Sequence, residues 1–226
     1  MAAERRRLTR AAVLTVDPEE LFVPDCDVSE PQRPMLTLRG HELLLRPNDW
    51  LPLPFGVEPS TAPPGAAAQR STDDSFKMRL PLTASLGARL AALDEHCAAA
   101  LRRLPTCEAL KWTPSVKQDR TGQSSVNVKV VLAGGTFDPP TQFKLRLKDG
   151  FVKGECALFF RTEVQTRGFF RGGRCQLTLR PRLYVMGERA GLYYVAPHLV
   201  LWQRTEGGGA EEVDALFPDD ALLAEP

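Results

Sequence analysis

The chain is predicted to be mainly β, a small barrel or sandwich of five or more strands with one amphipathic helix and extra N-terminal strands. Three observations predict it. From residue 126 onward, apolar residues alternate with polar ones over several short runs, the period of a half-buried strand. Gly and Gly/Asp pairs separate those runs: Gly134–Gly135, Asp149–Gly150 and Gly172–Gly173. A single stretch, Leu86 to Leu104, follows the helical period instead. Five or more short strands punctuated by turns are the signature of a small barrel or sandwich.

In chain order, residues 1–34 read as a flexible N-terminal arm, with one weak strand-like segment at Ala11–Val16. Met35, Leu36 and Leu38 lead to a turn at Gly40–His41, and Leu43–Leu45 returns as a second strand. Pro47 to Pro54 interrupts regular structure. Residues 58–74 are rich in Pro, Ala and Ser and read as a mobile loop. Ser75–Leu82 alternates Phe76, Met78, Leu80 and Leu82 with mostly polar neighbours, a half-buried strand.

The helix follows. Leu86, Leu90, Leu93, Cys97, Leu101 and Leu104 are spaced to share one face. Thr83 or Ser85 caps its start and Pro105 ends it. Arg89, Asp94, Glu95, Arg102 and Arg103 are assigned to its solvated surface. The β runs after it are Val126–Leu132, Phe143–Leu147, Cys156–Phe160 and Cys175–Leu179, and Leu192–Val195 and Leu199–Trp202 close the set. Together 35–204 form one domain, and 205–226 an acidic disordered tail.

Composition narrows the function. Of 226 residues, 43% are hydrophobic and 25% charged, ordinary for a globular chain with a core. No apolar run approaches the roughly 18–20 residues of a membrane span. The N-terminal apolar segment is too short for a secretory signal. Five scattered cysteines with no CxxC pair favour neither a metal cluster nor a disulfide framework, so the expected compartment is intracellular and reducing. The net charge of +1 conceals an asymmetry. Residues 205–226 carry seven acids and no base, so the remainder carries +8. A basic body with an acidic tail points to an anionic partner.

The alternation places the cations. With the aliphatic set inward, the opposite face shows Lys129, Lys144, Arg146, Lys148, Phe159, Arg161, Arg174 and Arg180. A row of cations on one sheet face suits a phosphate backbone, and aromatics between them give bases a stacking surface. Aromatic candidates are Trp112, Phe151, Phe159, Phe169, Phe170, Tyr184 and Tyr193. Arg167–Arg174 (RGFFRGGR) sets two aromatics among three arginines. Its phenylalanines have two readings, stacking on bases or packing beneath a hairpin. The predicted contact set is Trp112, Lys117, Lys129, Lys144, Arg146, Lys148, Phe159, Arg161, Phe169, Phe170, Arg171, Arg174, Arg180, Arg182 and Tyr184.

Catalytic patterns are absent from the sequence. His41, His96 and His198 have no metal-ligand spacing, and neither a phosphate-cradling loop nor a dinucleotide fingerprint occurs. Asp138, before Pro139–Pro140, reads as a turn residue rather than a general base. No enzyme activity, cofactor or metal is expected. In the tail, Asp214, Phe217, Asp219 and Asp220 form an acidic segment around one aromatic, suited to docking on a partner or competing with DNA for a basic groove.

The order of several short segments resembles a known family. These are Leu43-Leu-Leu-Arg-Pro47, Pro52-Leu-Pro-Phe-Gly-Val57 and Asp74-Ser-Phe-Lys-Met-Arg-Leu80. After the helix come Lys111-Trp-Thr-Pro-Ser-Val-Lys117, Val126-Asn-Val-Lys-Val130 and Arg182–Trp202, with Gly191 before an aromatic-rich strand. Residues 35–226 thereby resemble the single-stranded-DNA-binding proteins of large eukaryotic DNA viruses, distantly like phage replication proteins. The resemblance makes the predicted barrel an OB-like five-stranded one, and implies sequence-tolerant binding of single-stranded DNA in viral DNA replication, recombination or repair. It places the chain in a host nucleus or a cytoplasmic viral replication site, with replication proteins as partners of the tail. The alternatives are a viral structural or protein-interaction module, and RNA binding, because a stacking groove need not exclude the 2′-OH. A homodimer is compatible with the sequence, and a membrane partner is not expected.

Overall fold

A computed structural model describes residues 9–12, 21–24, 33–34, 36–38, 41–47, 50–59, 75–132, 138–147, 150–151 and 170–202. The expected class holds: the chain is mainly β with one substantial helix. The strands are β1 (Thr9–Ala12), β2 (Leu21–Phe22), β3 (Thr37–Leu38), β4 (His41–Arg46), β5 (Leu51–Leu53), β6 (Val57–Pro59) and β7 (Ser75–Pro81). After helix α1 (Ala84–Arg102) come β8 (Lys111–Thr113), β9 (Val116–Gln118), β10 (Ser124–Val131), β11 (Gln142–Leu147), β12 (Gly150–Phe151), β13 (Gly173–Met186) and β14 (Arg189–Trp202). They form one mixed sheet of 14 strands whose main path runs β2-β3-β4-β13-β14-β10-β7-β6. Among the described residues the sheet is larger than five strands and does not close.

The long antiparallel pair β13–β14 is its spine, with a register shift between Thr178 and Arg180. The two closing segments expected at 192–195 and 199–202 are one continuous strand. The free edge of β14 takes three partners in succession, all parallel: β8 at Arg189–Gly191, β10 at Tyr194–Val195 and β11 at His198–Trp202. Within residues 1–34, β1 pairs with β4 and β2 with β3. The loop assigned to 58–74 falls outside the described residues from 60 on, and the tail 205–226 and the run Cys156–Phe160 do so entirely.

One face of the sheet is the core face. Phe76, Met78 and Leu80 of β7 join Val126, Val128 and Val130 of β10, and Leu192, Tyr194 and Ala196 of β14. The Leu86, Leu90, Leu93, Cys97 and Leu101 stripe of α1 belongs to the same cluster. Thr83 caps the helix as expected, its hydroxyl accepting from the Leu86 amide at 3.3 Å. Burying each such aliphatic side chain is worth about 1.5–3 kcal/mol, which fixes the helix against the sheet.

Asp94 corrects the surface assigned to α1, because it is buried. Its Oδ2 accepts from the Ser115 amide at 2.8 Å, the Ser115 hydroxyl at 2.7 Å and the Val116 amide at 3.3 Å. It thus ties the β8–β9 connection to the helix. Burial raises its pKa above the ordinary carboxylate value, although the Ser115 and Val116 hydrogen bonds pull the other way.

Candidate nucleic-acid interface

The face opposite the core is built by alternation and register. On β7, Lys77 and Arg79 point away from Phe76, Met78 and Leu80. β10 pairs Lys129 with Lys77 and Asn127 with Arg79. β9 places Lys117 beside Ser125. On the other side of β10, Lys129 lies beside Val195 of β14, so Asn127 falls beside Tyr193 two positions back. β13 then adds Arg180 opposite Val195 and Arg182 opposite Tyr193. Two rows of side chains therefore cross four strands: Lys77, Lys129, Val195, Arg180, and Arg79, Asn127, Tyr193, Arg182.

The inner part of this surface is covered and neutralised. Asp138 is fully buried there. Its carboxylate pairs with Lys129 Nζ at 3.4 Å and Arg182 Nε at 3.3 Å, and accepts from the Tyr193 hydroxyl at 3.4 Å. Arg180 pairs with Glu42 at 2.7 Å. Burial lowers the Arg180 pKa, and Glu42 opposes that shift. Burial, with Asp138 adding to it, pushes the Tyr193 phenol up to about 12. These groups act as a structural network, because an unpaired charge at such depth costs several kcal/mol.

The outer part is open. β5 and β6 are joined by a turn in which Gly56 has φ +71°, the left-handed region that glycine enters without a Cβ clash. The Gly56 amide donates to the Leu53 carbonyl at 3.3 Å. Leu51, Leu53 and Val57 are buried on either side, so the turn pushes Phe55 outward, where it is 47% exposed. The Arg79 guanidinium lies over its ring, 5.5 Å from the centroid, and donates to the Ser125 hydroxyl at 3.2 Å. Phe55, Gly56, Glu58, Lys77, Arg79, Lys117, Gln118 and Asn127 line a groove of about 370 Å³. Lys77, Arg79 and Lys117 are exposed, and no carboxylate among the described residues forms an ion pair with them.

The sequence-predicted contacts divide accordingly. Lys117 stands in the groove. Lys144 and Arg174 are exposed at the far end of β14, where Lys144 lies beside Val200 and Arg174 beside Trp202. Arg146 also pairs in register with Trp202, so these three positions are brought together. The aromatics there are enclosed, since Trp202 is buried and meets Trp50 edge-on at 6.0 Å. Arg171 is exposed in the turn before β13, and Tyr184 is half-buried beside Tyr193.

Five positions need correction. Arg180 and Arg182 are buried in ion pairs, because Glu42 of the neighbouring strand β4 and the buried Asp138 bring carboxylates to a face that alternation alone leaves bare. Lys129 is half-buried and committed to Asp138. Phe170 is buried in the core at φ +62°, which decides its two readings in favour of packing. Trp112 lies beside Ala190, on the core side of the sheet, and lines a groove along α1 with Ala91, Asp94 and Ala98. Lys148, Phe159, Arg161, Phe169, Asp214, Phe217, Asp219 and Asp220 lie outside the described residues. Asp138, read as a turn residue, is the buried hub.

Phe55, Lys77, Arg79 and Asn127 were missing from the predicted set, although alternation in Ser75–Leu82 already carries the signal for Lys77 and Arg79. Among the described residues, no group of three or more His, Cys, Asp or Glu could hold a metal ion. No described helix is long and apolar enough to cross a membrane.

No family model and no curated protein sequence matches the chain. Solved structures to which it is similar include single-stranded-DNA-binding proteins of bacteriophages. One is gp2.5, a single-stranded-DNA-binding protein encoded by bacteriophage T7, at 10% identity and a TM-score of 0.41, covering 84% of this chain and 96% of that one. Another is the protein of bacteriophage Enc34 in complex with ssDNA, at 13% identity and a TM-score of 0.38, covering 67% and 80%. A C-terminal truncation of the Enc34 protein gives 11% identity and a TM-score of 0.39, covering 72% and 86%. At this level of likeness, function is argued from the chain's own residues.

Proposed function

We propose that this protein binds single-stranded DNA with little sequence preference, without turnover, in DNA replication, recombination or repair. One observation carries the reading: an exposed aromatic, Phe55, stands under Arg79 in an open groove with Lys77 and Lys117. The cations meet phosphates, and the face of the Phe55 ring turned away from Arg79 is the one a base would stack on. Asn127 and Gln118 supply amide donors and acceptors on the groove wall. Lys144, Arg146 and Arg174 would extend the phosphate track along β14 for longer strands. The acidic segment 205–226 is the proposed contact for replication proteins.

Stacking on Phe55 requires an unpaired base, so duplex should compete poorly. The test is fluorescence anisotropy of the full chain with labelled oligo-dT, competed by unlabelled oligo-dT, matched RNA and duplex. Tight oligo-dT binding with weak competition by duplex is expected. Absence of oligo-dT binding, or equal competition by duplex, overturns the reading. Equal competition by RNA would overturn the restriction to DNA.

A further inference from the structure

Tyr193 and Tyr184 lie on the same face as the groove. Tyr193 stands beside Asn127, which is itself a groove residue. Tyr184 lies against Tyr193 with ring centroids 6.3 Å apart and planes inclined at 51°. The strand position beneath it makes this possible. Gly191 is opposite Tyr184, and a Cβ built there would meet the Tyr184 Oη at 2.8 Å and Cε1 at 3.0 Å. The missing side chain lets the Tyr184 ring lie down across β14. Tyr193 is pinned by its hydroxyl on Asp138. The two rings are half-buried and fixed in place.

The ring of Tyr193 already carries an occupant. Arg33 sits over it, its Cζ 5.9 Å from the centroid. Arg33 itself lies in neither a strand nor a helix. A guanidinium over an aromatic ring takes the place where a nucleobase would stack, and both are held by the same ring face.

We propose that Tyr193 and Tyr184 form a second base-stacking subsite, continuous with the Phe55 groove through Asn127, and that Arg33 fills it in the free protein and yields to a nucleobase. The inference rests on the single-stranded-DNA reading and adds a length dependence to it. A short strand fills the groove alone, whereas a longer one must displace Arg33.

The test uses the full chain, wild type and Arg33→Ala, with oligo-dT of graded length. Removing a competing cation–π contact of about 0.5–2 kcal/mol should tighten binding of long oligonucleotides by about two- to thirtyfold. Affinity for the shortest oligonucleotides that bind should stay unchanged. Adding Tyr184→Ala to Arg33→Ala should abolish the gain, with a urea midpoint confirming that the double variant is folded. In parallel, oligo-dT carrying 5-iododeoxyuridine is photocrosslinked and the adducts are mapped by mass spectrometry. Adducts at Tyr184 or Tyr193 that increase in Arg33→Ala support the proposal. Weaker binding by Arg33→Ala, or adducts confined to the Phe55 groove in both proteins, overturns it while leaving the DNA-binding reading intact. No oligo-dT binding by either protein would sink that reading itself, and the second subsite with it.

Discussion

Replacing Lys77, Arg79 and Lys117 together by Gln removes three positive charges from the groove while keeping side chains of similar length. None of the three is buried or held by a carboxylate among the described residues, so the fold should tolerate the change. Each phosphate neutralised on a single strand contributes about −0.7 to the slope of log K against log salt. Three lost contacts should therefore flatten the slope by about 2. Between about 50 mM and 200 mM salt, the affinity ratio of wild type to variant should then shrink by about twentyfold. The assay is oligo-dT anisotropy at four or five salt concentrations, with a urea midpoint for each protein. A variant that is folded and keeps the wild-type slope would refute the assignment of these cations to phosphates.

Phe55→Ala should weaken oligo-dT binding by about 1–3 kcal/mol while leaving the salt slope unchanged, because a stacking surface is lost and no charge is. Anisotropy at two salt concentrations separates the effects. Asp138→Ala should destabilise the fold by about 3 kcal/mol in urea, since it strands Lys129 and Arg182 without their carboxylate. A loss under about 1 kcal/mol would show that the hub holds little. Asp94 makes a pH prediction. Its folded pKa is raised, so from the unfolded carboxylate value near about 4 up to the folded value the native state binds more protons than the unfolded state. Stability relative to Asp94→Asn should fall as pH rises through that window and level off above it. A difference that grows with pH would reverse the sign argued from burial.

The parts of the fold legible in the sequence are those governed by local period. Phe76–Leu80, Val126–Val130 and the Leu86–Leu101 stripe each announce their element and inward face. Asp94 could have been read the same way: it lies four residues after Leu90 and three before Cys97, on the buried stripe rather than beside it. What local period does not carry is the partner from a distant part of the chain. Arg180 and Arg182 alternate like surface residues, yet both are buried, paired with Glu42 on the neighbouring strand β4 and with Asp138. Phe55 was obscure for a different reason. Its exposure comes from the Gly56 turn between two short strands, and no periodicity describes a turn. Lys77 and Arg79 are legible in the alternation of Ser75–Leu82, but the stretch beyond residue 111 carries more basic residues and a stronger charge signal.

The three parallel partners gathered along one edge of β14 bear on how the chain is made. β8, β10 and β11 are all synthesised before β14, yet the positions of each that face β14 are paired only when residues 189–202 have emerged. Until then their backbone amides and carbonyls on that side are open to pairing with other chains. A nascent chain stopped short of Trp202 would expose several edges at once, the condition that favours aggregation over folding. Because these pairings span long sequence separations, closing them is also slow. The formation of β14 thus sets when these three strands cease to be open edges.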